Sequence, residues 1–119
     1  MELLEGKRGY LRLRLPIEQN RNHLGILNAC SQFALAGVPV ASILHTLIDM
    51  ERLDPIIVKL NIKYLKRATT DLYNTVKFSE ELVSKIKKDL KEKGKSRFLF
   101  EEELKDETGE VVTVTKGDY

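Results

Sequence analysis

The feature that most constrains the fold is a run from Asn22 to Ile48 that contains no Lys, Arg, Asp or Glu. A segment this long and this apolar is typical either of a membrane-spanning helix or of the buried helix of a globular domain. The run contains several polar side chains, and Gly37 and Pro39 lie in its middle. The flanking segments have the pattern of amphipathic strands, whose apolar faces must pack against an apolar element. We therefore predict a buried helix and no association with a membrane.

Alternating segments on both sides of this run predict half-buried strands. In residues 9–16, Leu11, Leu13 and Leu15 point to one face and polar or aromatic residues to the other. Further strands are predicted at 56–66, 71–78, 96–105 and 110–116, with 71–78 as a neighbour of 56–66. Residues 106–109 join the last two strands in a hairpin turn, with Gly109 at the position that needs a positive φ.

Two helices complete the predicted order of elements. The buried helix is expected from Asn28, its N-cap, to about His45. The second begins after Ser79 with acidic residues and ends near Gly94 with lysines, which suits the helix dipole. Its single apolar stripe predicts a surface position. The chain therefore reads as one α+β domain over residues 1–119, with five mostly antiparallel strands around one buried helix.

Composition excludes several classes of protein. A net charge of +2 over 119 residues, without a basic block, argues against nucleic-acid binding. A lone cysteine, Cys30, cannot form an internal disulfide, which favours a reducing cytoplasm. The two histidines, His23 and His45, are too far apart in sequence to form a metal motif. The first ten residues are charged throughout and lack the apolar core of a signal peptide.

Three stretches carry a resemblance to the hotdog-fold thioesterase superfamily: RNHLGILNACSQFALAG, VKLNIKYLKRATTDLYNTVKF and KGKSRFLFEEELKDETGEVVTVT. The phenylacetyl-CoA-thioesterase-like branch has a motif of the type N-x-x-G-x-x-[H/F]-[G/A]-G-x-x-F-x-L-A-[D/E]. The segment IKYLKRATTDL is similar to that family's VxYLKPAxGDL. The motif positions that match here are Asn22, Gly25, Phe33, Leu35 and Ala36.

The sequence departs from this motif at three places. Asn28 stands where the family has His or Phe, and Ala29-Cys30 replaces the pair of small residues. Gly37 occupies the position of the Asp or Glu that acts as base or nucleophile in many relatives. A family carboxylate cannot be carried over to that position.

The resemblance implies thioester hydrolysis, for which several groups are candidates. The backbone amides of Ala29 and Cys30, at the positive end of the helix, could bind a developing oxyanion. His23 is the candidate base, because its ordinary pKa lies near working pH. Asn22 and Asn28 could orient the water or the carbonyl. His45 and Asp49, at the far end of the helix, could reach the site only from a partner subunit.

Each candidate also has a structural interpretation. His23 could bond to a loop carbonyl, Asn28 could serve as a helix cap, and Cys30 is expected to be a small core residue. For the substrate, Gly25 in the loop is predicted to contact the ligand, and Lys66 and Arg67 are predicted to bind the phosphates of coenzyme A. No cofactor is implied beyond the coenzyme A of the substrate.

An open sheet edge predicts a homodimer or homotetramer with its site between subunits. The predicted function is hydrolysis of an acyl-CoA or acyl-carrier thioester by a cytoplasmic enzyme. One alternative is a non-catalytic acyl-CoA or acyl-lipid binding protein that has lost the carboxylate at Gly37. A purely structural dimerisation module would leave the polar loop before the helix unexplained. A hydroxyacyl dehydratase is disfavoured, because the His and Asp arrangement expected for it is absent from the sequence.

Overall fold

The computed structural model describes residues 1–44, 46–47 and 56–119. The predictions for His45 and Asp49 therefore lie outside the described residues. The α+β class is confirmed, and the elements in chain order are β1 (Glu2–Lys7), β2 (Tyr10–Leu15), α1 (Ala29–Leu44), β3 (Lys59–Tyr64), β4 (Leu72–Lys77), α2 (Glu80–Lys93), β5 (Leu99–Lys105) and β6 (Val111–Asp118).

Within the described part of the chain, the strands form one antiparallel sheet of six strands, in the order β1-β2-β4-β5-β6-β3. The prediction of five strands missed β1. All six residues of β1 are exposed, although the strand pairs with β2. It therefore has no buried face, and the alternation that identifies a half-buried strand is absent from it.

The prediction that segments 56–66 and 71–78 are neighbours is wrong. β3 pairs with β6 at one edge of the sheet, whereas β4 lies between β2 and β5. Burial explains the separation. Leu72, Asn74 and Val76 of β4 are almost completely buried, as befits a central strand, while no residue of β3 is fully buried.

Helix α1 packs against one face of this sheet, over β2 and β4. The predicted inward face of β2 is confirmed, because Leu11, Leu13 and Leu15 are all buried. Within a single chain, however, α1 is not buried all round. Phe33 and Val38 remain 42% and 50% exposed, so one apolar side of the helix faces away from its own sheet.

The second helix has the predicted superficial position and caps. Ser79 accepts a hydrogen bond from the Leu82 amide at 3.1 Å, and Gly94 ends the helix in the left-handed conformation at φ 70°. Of the residues in α2, Ile86 alone is buried. The predicted hairpin turn is also confirmed, with Gly109 at φ +87°. None of the described helices is long and apolar enough to cross a membrane.

A buried hydrogen bond compensates for the proline inside α1. Pro39 has no backbone N–H, so the carbonyl of Leu35, four residues earlier, loses its helical donor. The side-chain amide of Asn74 on β4 donates to that carbonyl at 3.0 Å. Both residues of this pair are almost completely buried, where an unpaired carbonyl is costly. Asn74 thus makes the proline tolerable in the core.

This pairing predicts an energetic coupling between Asn74 and Pro39. Asn74→Leu should lower the free energy of unfolding by roughly 1–3 kcal/mol, because it leaves the Leu35 carbonyl buried and unpaired. Pro39→Ala should recover part of that loss in the Asn74→Leu background, since an alanine at this position would supply the missing helical N–H. Urea unfolding of the two single variants and the double variant measures the coupling. Equal effects of Pro39→Ala in both backgrounds would contradict it.

Candidate functional site

The N-terminus of α1 is capped by a side chain and carries no charge of its own. The Asn28 side-chain oxygen accepts a hydrogen bond from the Ser31 amide at 2.8 Å, which confirms the predicted N-cap. Ala29 and Cys30 are both exposed. Within the described residues, neither of their amides donates a hydrogen bond. The first turn has no acidic residue, so the positive end of the helix dipole is open to an anion.

The prediction that Cys30 is a core residue is wrong. Its side chain is exposed and its thiol is free. Cys30 lies on the side of α1 that turns away from the sheet, as Phe33 does one turn later. The apolar run hid this, because a helix that is apolar on every side gives no sequence signal for which side faces the sheet.

The loop before α1 is a compact turn with His23 at its tip. Arg21 and Leu27 form an isolated antiparallel bridge that closes the base of the loop. The Asn22 side-chain oxygen accepts from the amides of Leu24 and Ile26 at 2.9 and 3.3 Å. The Asn22 oxygen is therefore used to hold the loop. The ring of His23 is exposed and makes no hydrogen bond within the described chain.

Gly25 completes this turn through its backbone. It has a φ of +79°, and an added Cβ would meet nothing within 4 Å. Its amide donates to the Asn22 carbonyl at 3.0 Å, and its carbonyl accepts from Arg21 at 3.1 Å. The positive φ of the backbone thus favours a glycine at this position, and the space beside it is open.

A second segment, from the end of β3, lies against the start of α1. The Tyr64 hydroxyl donates to the Ala29 carbonyl at 3.1 Å. Partial burial raises the pKa of this phenol, and the neighbouring Cys30 adds to the effect. The Leu27 amide donates to the Ala68 carbonyl at 2.9 Å. The segment 64–68 therefore lies next to the open amides.

Sequence reasoning missed Tyr64 as a site residue. The alternation of 56–66 assigned it to a strand face, although it stands inside the segment IKYLKRATTDL that resembles the family. Only the packing of β3 against α1 reveals that its hydroxyl reaches the helix.

The two predicted phosphate-binding residues lie on this same segment. Both Lys66 and Arg67 are exposed. Lys66 forms an ion pair with Glu110 in the β5–β6 turn, whereas Arg67 has no ion-pair partner in the described part of the chain. Arg67 is accordingly the freer of the two cations. Exposed pairs of this kind are weak, so the pairing does not prevent Lys66 from binding another anion.

Gly37 shows what replaces the carboxylate of the resembling family. It is buried, and a Cβ added there would lie 3.0 Å from the Cδ1 of Ile57. The end of the Ile57 side chain would therefore have to shift to admit a larger residue. Elsewhere in the described residues, no three His, Cys, Asp or Glu side chains are grouped closely enough to hold a metal ion.

The comparisons with known proteins agree with this fold. Residues 3–119 match the family described as "Putative thioesterase (yiiD_Cterm)". A protein of unknown function from Pseudomonas aeruginosa, described as a probable thioesterase, is similar at 29% identity and a TM-score of 0.90, over 98% of this chain and 78% of that one. No curated protein matches the chain.

More distant structures share the fold alone. The PaaI protein of E. coli, from the phenylacetic acid degradation operon, is 14% identical with a TM-score of 0.70, over 98% of this chain and 79% of that one. Thioesterase superfamily member 2 from Mus musculus is 17% identical with a TM-score of 0.70, over 98% and 78%.

The fold and these likenesses define a hotdog-fold protein of the thioesterase superfamily. Within that superfamily, the chain belongs to the "Putative thioesterase (yiiD_Cterm)" family.

The cap of α1 can be tested independently of any activity. Asn28→Ala removes the acceptor of the Ser31 amide and should lower the free energy of unfolding by about 1 kcal/mol. Asn28→Asp keeps an acceptor and places a negative charge at the positive end of the helix, so its stability should equal or slightly exceed that of the wild type. Urea unfolding at pH 7 makes the comparison. An unchanged Asn28→Ala variant would show that Asn28 does not cap the helix in solution.

Proposed function

We propose that this protein hydrolyses acyl-CoA thioesters at the N-terminus of α1, at an interface between two copies of the chain. The observation that carries this proposal is the pair of exposed amides of Ala29 and Cys30, at the uncompensated positive end of a buried helix. Membership of a thioesterase family supports the reaction class.

In the proposed reaction, the thioester carbonyl oxygen accepts hydrogen bonds from these two amides. Water attacks the carbonyl carbon and its proton passes to a base. The C–S bond then breaks and the base returns the proton to the sulfur, which releases coenzyme A as the thiol and the acyl group as a carboxylic acid. Preorganised backbone donors stabilise the oxyanion of the tetrahedral intermediate, and one such donor is worth about 10²–10³ in rate. Tyr64, bonded to the Ala29 carbonyl, would fix the first turn so that the amides keep their direction.

His23 is the proposed base. A neutral imidazole can accept the water proton, and the ring is exposed at the tip of a compact turn rather than occupied by a loop carbonyl. Asn22, whose oxygen holds that turn, would position His23 and would not contact the water through that oxygen. Asn28, which caps the helix, would act on the carbonyl only through the amides it orders.

The adenine nucleotide of coenzyme A would lie along segment 64–68. Arg67 and Lys66 offer positive charge beside the open amides, and Gly25 leaves space at the neighbouring turn. The thioester then points to the helix N-terminus, and the phosphates of the nucleotide lie toward the cations.

The proposed dimer covers an exposed apolar surface along α1 and β3. Tyr64 contacts Ala29 at one end of the helix, and Ile57 approaches Gly37 further along, so β3 flanks the side of α1 that carries Phe33 and Val38. β3 is also an edge strand of the sheet. An apolar surface continuous with an open strand edge is typical of an interface between two copies. We call this region, composed of α1 and residues 56–65, the α1–β3 surface.

The second candidate function is acyl-CoA binding without hydrolysis. The identity of residue 37 favours it, because a glycine there supplies no carboxylate and an added Cβ would already crowd Ile57. In that case the open amides and Arg67 would hold the ligand, and no group would activate water.

Thiol release from short, long and aromatic acyl-CoAs tests the two functions. The wild type should turn over at least one of them. His23→Ala should lower kcat by roughly 10²-fold or more, as expected for the loss of a general base. Leu24→Ala, at the exposed neighbouring position in the same turn, is the matched control and should retain activity.

Two results would require revision. If His23→Ala and Leu24→Ala are equally active, His23 is not the base. If no substrate is hydrolysed but acyl-CoA raises the melting temperature, the binding function replaces the hydrolytic one.

The dimer can be tested without a substrate. The wild type should elute in size-exclusion chromatography with light scattering at twice the 13.6 kDa mass of the chain or a higher multiple. Val38→Glu places a charge in the α1–β3 surface and should yield monomers. Leu3→Glu, at an exposed leucine of β1 on the opposite sheet edge, should leave the mass unchanged. A wild-type monomer, or dissociation by Leu3→Glu alone, would exclude this interface.

A further inference from the structure

One buried hydrogen bond joins the start of helix α1 to strand β6. The hydroxyl of Thr113 donates to the side-chain oxygen of Gln32 at 2.5 Å. Gln32 is 4% exposed and Thr113 is 0% exposed, so the bond is shielded from water. Gln32 lies three residues after Ala29, the first residue of α1. The bond therefore holds the end of the helix that carries the open amides.

The nitrogen of the Gln32 side chain contacts the residue that precedes the helix cap. It donates to the Leu27 carbonyl at 3.4 Å, a long but buried hydrogen bond. The Leu27 amide in turn donates to the Ala68 carbonyl at 2.9 Å. Leu27 is thus held on both sides, by Gln32 through its carbonyl and by segment 64–68 through its N–H. These two bonds fix the direction in which the backbone enters the helix.

The partners of Gln32 determine the orientation of its side-chain amide. A backbone carbonyl can only accept a hydrogen bond, so the amide nitrogen must face Leu27 and the amide oxygen must face β6. The hydroxyl of Thr113 is the donor that this oxygen has in the described residues. Without that hydroxyl the oxygen would be a buried acceptor with no partner, which is costly. We expect the side chain to shift in that case and to release the Leu27 carbonyl.

Strand β6 also holds the segment that carries the two cations. The carbonyl of Val112, the residue before Thr113, accepts from the amides of Leu65 and Lys66 at 2.8 and 3.2 Å. Adjacent residues of β6 thus hold both halves of the proposed site. Val112 holds the cationic segment, and Thr113 holds the start of α1 through its partner on the helix. These two attachments set the distance between the open amides and the cations.

We propose that Gln32 and Thr113 are positioning residues of the site, which keep the open amides of α1 in register with the cations of segment 64–68. This role rests on the proposed function, because it requires a thioester carbonyl and the nucleotide of coenzyme A to occupy the two halves together. Both side chains are buried, so they act through the backbone at Leu27 and not on the substrate. A misplacement of about 1 Å in such a site can lower the rate by about 10²-fold.

Three variants of β6 separate this role from a general loss of stability. Thr113→Val removes the donor to Gln32 and keeps the shape of the side chain, whereas Thr113→Ser keeps a hydroxyl and is the conservative rescue. Thr115→Val is the matched control, because Thr115 is also buried and lies two residues along the same face of β6. Its hydroxyl donates to Glu102 of β5 at 3.2 Å and, within the described residues, makes no bond to α1.

Steady-state kinetics with an acyl-CoA that the wild type hydrolyses gives the first measurement. Thr113→Val should lower kcat by roughly ten- to a hundredfold and leave KM within about twofold, because the cations that bind the nucleotide stay attached to Val112. Thr113→Ser and Thr115→Val should keep the wild-type kcat. A loss of stability would affect both valine variants, whereas a positioning effect is confined to Thr113→Val.

Binding of two analogues that cannot be hydrolysed gives a measurement that needs no turnover. One is the ketone in which a CH₂ group replaces the sulfur of an acyl-CoA, and the other is an S-alkyl thioether of coenzyme A, which lacks the carbonyl. In calorimetry the wild type should bind the ketone about tenfold more tightly, because only the ketone offers an oxygen to the open amides. Thr113→Val should lose most of this preference and keep its affinity for coenzyme A alone.

Amide hydrogen exchange tests the structural step separately. The Leu27 amide should exchange faster in Thr113→Val than in Thr113→Ser or Thr115→Val, whereas the amides of β1 should not differ. If Thr113→Val fails to fold, Gln32→Met removes the same bond from the helix side and takes its place in every measurement.

Two results would overturn the positioning role. One is equal exchange of the Leu27 amide in Thr113→Val and Thr115→Val. The other is a kcat and a ketone preference that fall equally in these two variants. A wild type that neither hydrolyses acyl-CoA nor binds the analogues would refute the proposed function instead, and exchange at Leu27 would still decide whether the bond between Gln32 and Thr113 holds the start of the helix.

Discussion

The structure depends on one hydrogen bond between the sheet and the helix it surrounds. Pro39 deprives the Leu35 carbonyl of its helical donor, and Asn74 supplies a replacement at 3.0 Å. In an apolar interior, that carbonyl would otherwise destabilise the whole packing of α1 against the sheet. A polar residue in the central strand is thus required by a proline in the helix, and both lie where apolar residues would be expected.

The position of α1 determines which groups lie near each of its ends. The helix runs alongside β3, with Tyr64 at Ala29 and Ile57 at Gly37. This alignment brings segment 64–68 to the open amides, and Phe33 and Val38 of the same helix are exposed. A ligand at the helix N-terminus and a second chain on the α1–β3 surface would therefore approach the molecule from the same side. That proximity is the physical reason why the proposed site is placed between subunits.

Sequence patterns predicted those parts of the structure that repeat with the period of an element. The face of Leu11, Leu13 and Leu15, the caps at Asn28 and Ser79, and the hairpin at Gly109 each follow from local chemistry. The sequence patterns failed where a feature depends on residues that are distant in the chain. β1 has no buried face, the edge position of β3 depends on what the other strands bury, and the exposure of Cys30 depends on which side of an apolar helix meets the sheet. Tyr64 and Gln32 gain their partners only through elements distant in sequence.

Charge distribution distinguishes the two helices and explains why one of them is suited to binding. Helix α2 has Glu80 and Glu81 in its first turn and Lys91 and Lys93 in its last, so its dipole is compensated at both ends. Helix α1 has no charged residue in its first or last turn. Its burial excludes charges, and the same exclusion leaves the positive end of its dipole uncompensated where the amides of Ala29 and Cys30 reach solvent. The requirement for an uncharged core helix therefore produces an anion-attracting terminus.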